Sequence, residues 1–132
     1  MTKKFFLRQP SEAAGVDDLQ VAHDLADTLE AHRGGCVGMA ANMIGERKRI
    51  IAVLDEGGSV LVMFNPEIVH KSGPYAASEG CLSLPGEREA QRFERITVSF
   101  ADERMRSHER SFSGRVAQAI QHEIDHCDGV LI

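Results

Sequence analysis

The segment 114–127, GRVAQAIQHEIDHC, limits what this chain can fold into more than any other stretch. It contains H-E-x-x-H as His122-Glu123-Ile124-Asp125-His126, and its apolar residues recur at helical spacing. With about 100° of rotation per residue and His122 as origin, His126 falls near 40° and Glu123 near 100°. Val116, Ile120, Ile124 and Cys127 fall between about 120° and 200°. One helix therefore carries an apolar stripe that must be buried, two imidazoles on a separate face, and a carboxylate between the two. A solvated polar face with two incidental histidines would give the same pentapeptide. The buried stripe beside the imidazoles favours a metal site on a core-packed helix. Ser111 or Ser113 is the expected N-cap.

A catalytic metal site needs a third protein ligand and an open position for water. After His126 only CDGVLI remains, with no further His or Glu. Cys127 belongs to the core stripe, and Asp128 is too close along the chain to swing back. The third ligand is therefore expected upstream, where two cysteines are candidates. Cys36 lies in GGCVGMAANMIG among small residues, the usual setting of a buried thiol. Cys81 lies in SEGCLSLPG, between Gly80 and a Pro-Gly turn, as expected of a loop that presents a side chain, and is the preferred ligand.

The remaining elements read as an α+β fold. Residues 16–33 form an amphipathic helix with Leu19, Ala22, Leu25, Ala26 and Leu29 on one face, stopped by Gly34 and Gly35. Residues 49–66 form a hairpin turning at Glu56-Gly57-Gly58, with Pro66 ending its second strand. Further strands are expected at 96–100 and around 108–112. Mixed or antiparallel β-sheets would then pack around the C-terminal metal-binding helix, with the N-terminal helix outside. Residues 1–132 are expected to form one domain, since no repeat, linker or low-complexity run interrupts them.

The N-terminal apolar run is only about three residues, far short of a signal peptide or membrane helix, so a cytoplasmic protein without membrane association is expected. The net charge of −5 argues against a nucleic-acid site. An odd count of 3 cysteines in such a chain points to a ligand or reactive thiol rather than a disulfide framework.

Three segments together resemble the peptide deformylases, whose motifs are G-x-G-L-A-A-x-Q, E-G-C-L-S and H-E-x-D-H. Here they read Cys36-Val-Gly-Met-Ala-Ala-Asn-Met43, Glu79-Gly-Cys-Leu-Ser83 and His122-Glu-Ile-Asp-His126. The resemblance spans nearly the whole chain and implies a single peptide-deformylase-like domain. It also implies hydrolysis of the formyl group from N-formylmethionyl nascent peptides, met at the ribosome. It makes Cys81, His122 and His126 the ligands of one divalent metal ion, Fe²⁺ by family expectation, with Zn²⁺, Ni²⁺ or Co²⁺ also suited to this donor set. By the same resemblance Glu123 is the acid/base residue and the Leu82 backbone N–H an oxyanion donor. Val37 and Gly38 face the methionine side and the substrate backbone, and Glu79, Gly80 and Arg88 lie against substrate.

The first motif departs from the family. Its glutamine, which donates a side-chain N–H to the developing oxyanion, is Met43 here, and a thioether donates nothing. Its first glycine is Cys36 and its leucine Met39. The Asn42 amide next door is one candidate replacement. Beside an active deformylase stand two alternatives: a paralogue that takes another N-acyl peptide, and a metal- or peptide-binding protein with little turnover. The intact Glu123 weighs against the last. The ligand assignment makes one plain prediction: Cys81→Ser loses the metal, whereas Cys36→Ser and Cys127→Ser retain it, as read by metal content after gel filtration.

Overall fold

The computed structural model describes residues 6–81 and 84–130, and the side chains of all of these except 81, 84 and 85. A short 3₁₀ turn at Val16–Asp18 leads into helix α1, Leu19–Ala31. Five strands follow: β1 Gly38–Ala40, β2 Ile50–Leu54, β3 Val60–Cys81, β4 Leu84–Ala101 and β5 Ser107–Ser113. Helix α2, Gly114–Cys127, closes the order. The strands form one antiparallel meander in the order β1-β2-β3-β4-β5. The expected mixed or antiparallel sheets are thus a single antiparallel sheet.

Strand β2 explains the layering. Its sequence Ile50-Ile51-Ala52-Val53 is buried at every position, because side chains alternate between two faces and both are covered. Ile51 and Val53 join Met63, Ile96, Val98 and Phe100 against Val116, Ile120, Ile124 and Cys127 of α2. Ile50 and Ala52 join Val62 and Phe64 against Ala22, Leu25 and Leu29 of α1. The apolar stripe expected on α2 is therefore the stripe that packs, and α1 lies outside as expected. Burial also pushes the Cys127 thiol up to about 12, consistent with a core residue rather than a ligand.

Pro66 does not end its strand. Asn65 takes a positive φ of 53°, and the register with β4 shifts between Phe64 and Glu67. This bulge places Pro66 where no ladder N–H is needed, and β3 resumes to Cys81. Strand β2 pairs with β3 only through Phe64, and β5 pairs with β4 only from Arg95 onward. Residues 74–81 and 84–93 thus form a two-stranded arm that leaves the sheet and crosses α2. Cys81, expected on a loop, ends β3 at the tip of this arm, paired with Leu84.

Ser113 occupies the N-cap position of α2 with extended backbone, without a side-chain cap. Among the described residues no helix is long and apolar enough to cross a membrane. Past α2, Gly129 adopts φ 78°, and a Cβ there would run into the Arg8 carbonyl. Both strain and clash oppose any side chain. Gly129→Ala should lose at least about 2 kcal/mol of stability and about 7 °C in Tm. An unchanged thermal midpoint would show that the 6–9 segment does not brace the end of α2.

Candidate metal centre and catalytic cleft

Helix α2 brings His122 and His126 one turn apart, and both are buried. Their Nε2 atoms lie 3.2 Å apart, with ring centroids separated by 4.9 Å and planes at 62°. The outer nitrogen of His122 is fixed: Nδ1 donates to Glu79 Oε1 at 2.9 Å. An ionised carboxylate only accepts, so Nδ1 carries the proton and the Nε2 lone pair faces His126. A tetrahedral cation bound at about 2.05 Å by two imidazoles holds their nitrogens about 3.3 Å apart, so the observed spacing fits a metal chelate. Candidate ligand atoms of His122, Glu123 and His126 all lie within 4.8 Å of one another.

Glu79 is held in turn. Arg92 donates from Nη2 to Glu79 Oε1 at 2.7 Å and from Nε to Oε2 at 3.0 Å. Gln118 Nε2 donates to Oε2 at 2.8 Å. Burial pushes the Glu79 carboxyl up, but the hydrogen bonds from His122, Arg92 and Gln118 and the Arg92 charge outweigh it and hold it at about 2. Arg92 also reaches Asp125 Oδ2 through Nη1 at 2.8 Å. Burial acts against the guanidinium charge, and Glu79 and Asp125 more than restore it, raising its pKa. One residue further, Gln121 accepts from the Phe93 N–H and donates to the Phe93 carbonyl, both at 2.8 Å. Polar contacts to Gln118, Gln121, His122 and Asp125 thereby fasten the arm to α2, while Phe93 also packs against the apolar core.

Glu123 packs against β1. A Cβ on Gly38 would come within 3.1 Å of both Glu123 Cγ and Oε2, and within 3.2 Å of Val53 Cγ1. Glycine at 38 is therefore what lets the strand backbone lie against the carboxylate. Val37, Gly38, Met43, Glu79, Gly80, His122 and Glu123 line one cleft of about 650 Å³. His126 sits behind His122, fully buried. Arg88 lies on β4 across from Glu79 and does not line the cleft. The family resemblance sets Glu79 against substrate; its carboxylate is instead taken up by His122, Arg92 and Gln118. The Cys81 side chain and all of Leu82 lie outside the described residues.

Two details bear on the first motif. Asn42 is buried and donates from Nδ2 to the His126 carbonyl at 2.8 Å, away from the cleft, so its amide is not the replacement donor. Met43 does line the cleft, and its Sδ accepts from the Ala40 N–H at 3.3 Å. Residue-level reading missed Arg92, Gln118 and Gln121. Arg92 had a signal: it shares strand parity with the buried Ile96, Val98 and Phe100, and a charge on that face demands a buried partner.

An α+β fold with an H-E-x-x-H helix buried beneath a β-arm, its imidazole oriented by a carboxylate, defines a metallohydrolase-type centre. The polypeptide deformylase family model matches residues 3–132, and the chain belongs to that family. It is 46% identical over 127 residues to the peptide deformylase of Clostridium beijerinckii, covering 96% of this chain and 93% of that one. The crystal structure of peptide deformylase from Thermus thermophilus superposes with a TM-score of 0.85 at 34% identity, covering 98% of this chain and 78% of that one. A Met-Ala-Ser-bound class I type b peptide deformylase from Acinetobacter baumannii gives 0.84 at 30% identity, covering 96% and 90%.

The ion-paired carboxylate behind His122 has a measurable consequence. Glu79→Gln should weaken metal binding about 10–100-fold, since it removes the charge that orients and polarises the imidazole. Competition with a chelator reads this directly; wild-type affinity in the variant would deny Glu79 that role.

Proposed function

We propose that the chain hydrolyses the formyl group from N-formylmethionyl peptides, releasing formate and leaving a free amino-terminal methionine. The observation that carries this reading is the His122–His126 pair, with Nε2 atoms 3.2 Å apart and Glu123 buried beside it on the cleft floor, in a chain of the deformylase family. His122, His126 and Cys81 would hold one divalent cation, Fe²⁺ first, with Zn²⁺, Ni²⁺ or Co²⁺ as other occupants. Such a cation supplies Lewis acidity toward the formyl oxygen and the attacking water.

The chain's own residues do the rest. Glu123 accepts the proton of the attacking water as the C–O bond forms, then delivers it to the amide nitrogen as the C–N bond breaks. Its burial against Gly38 keeps bulk water from competing for that proton. Strand β1 is an edge strand, hydrogen-bonded only to β2 among the described residues, so Val37 and Gly38 can take the peptide backbone as an added strand. Gly80 lines the cleft from the arm, and by family resemblance the Leu82 N–H would donate to the developing oxyanion. Arg88, further along β4, would meet the peptide only beyond the cleft. Nascent chains leaving the ribosome in the cytoplasm are the natural source of such peptides.

Purified anaerobically with Fe²⁺, the protein should release formate from formyl-Met-Ala-Ser. Metal-loaded protein that releases none would sink the reading. Met43→Gln, assayed alongside, should raise kcat by at least about tenfold, because one oxyanion donor typically contributes about 10²–10³. An unchanged rate would show that position 43 contributes nothing to the oxyanion.

A further inference from the structure

The proposed chemistry uses only the cleft floor, yet the wall formed by α2 continues upward. Arg115, Gln118, Ala119, His122 and Glu123 form one row of i, i+3, i+4, i+7 and i+8 positions facing the cleft. Gln118 is committed to Glu79. Arg115 is exposed at the mouth and, among the described residues, makes no hydrogen bond or ion pair. Across the cleft, Arg33 is already bridged to Glu30. Of the carboxylates that line the cleft, Glu79 is neutralised by Arg92, and Glu123 lies on the floor. In a chain of net charge −5, the cleft mouth thus presents a guanidinium without a carboxylate of its own.

We propose that Arg115 is a specificity-determining residue that favours an Asp or Glu side chain at one of the two positions following the peptide's amino-terminal methionine. The proposal rests on the peptide-hydrolysis reading above. Seven residues of helix separate Arg115 from His122, a rise of about 10 Å. An extended peptide covers that distance in about three residues, which places the second or third side chain beside the guanidinium. The planar guanidinium matches a carboxylate in a two-point fork. At a half-open site such a pair gives a few-fold preference over a neutral residue, and repulsion of lysine widens the range to about tenfold.

The test uses metal-loaded protein and calorimetric binding of the amidated product peptides Met-Asp-Ala and Met-Ala-Asp against their lysine counterparts. At one of the two positions the acidic peptide should bind about tenfold tighter. That ratio should fall below about twofold in Arg115→Ala, reverse in Arg115→Glu, and shrink at high salt in the wild type. Equal affinities, no binding of either peptide, or a preference that survives Arg115→Ala would overturn the proposal. Formate release from formyl-Met-Ala-Ser, measured in parallel, reports separately on the hydrolytic reading, because product binding does not require turnover.

Discussion

The rest of the site depends on a single buried guanidinium. Arg92 joins Glu79 on β3 to Asp125 on α2, and Glu79 in turn fixes His122. A buried ion pair gives little net stability, because the desolvation of its charges roughly cancels their attraction. Removing one partner is another matter, since it leaves an uncompensated charge inside. The network therefore works as a latch of defined register. The arm can rest on α2 only where Arg92 meets both carboxylates and Gln121 meets the Phe93 backbone. Glu79 precedes Cys81 by two residues on the same strand, so the latch that orients His122 also sets where the end of β3 falls.

That coupling explains why polar contacts fix the register of the arm, although Phe93 also packs on the apolar core. An apolar interface tolerates sliding by a few tenths of an ångström, whereas a two-oxygen fork with a second carboxylate behind it does not. The apolar layers on either side of β2 supply the bulk of the burial, and the latch adds position. The two jobs are separated along α2: its stripe of Val116, Ile120, Ile124 and Cys127 faces the core, and its polar row faces the arm and cleft.

Much of this is legible in the residues alone. Helix α2 matches the span expected from periodicity, and its buried residues include those of the 120–200° sector. The amphipathic α1 and the 96–100 strand are likewise readable, because their patterns are local. The arm is not. Pro66 normally ends a strand, and only a positive φ at Asn65 lets this one continue. Gly80 and the Pro85-Gly86 pair look like a loop around Cys81 because turn residues also occupy a hairpin tip. Arg92 escapes notice because no nearby residue is its partner; Glu79 and Asp125 lie 13 and 33 positions away. Pairing at that distance is set by tertiary geometry.

The first motif shows the same limit from the other side. Asn42 and Met43 are neighbours, and composition alone makes the asparagine a reasonable stand-in for the missing glutamine. The short 3₁₀ turn at Ala41–Ile44 sends them in different directions. Asn42 turns inward and donates to the His126 carbonyl near the end of α2, which also accepts from the Gly129 N–H. It therefore braces the turn that carries a proposed ligand. Met43 faces the cleft and covers the Ala40 N–H with a weak sulfur acceptor. The exchange of amide for thioether thus does two things at once: it removes a side-chain donor from the cleft and engages a backbone donor on β1. On the proposed reading, stabilisation of the oxyanion would fall to the cation and the Leu82 N–H. The base at Glu123 is untouched by the change, so the cost falls on charge stabilisation and not on proton transfer.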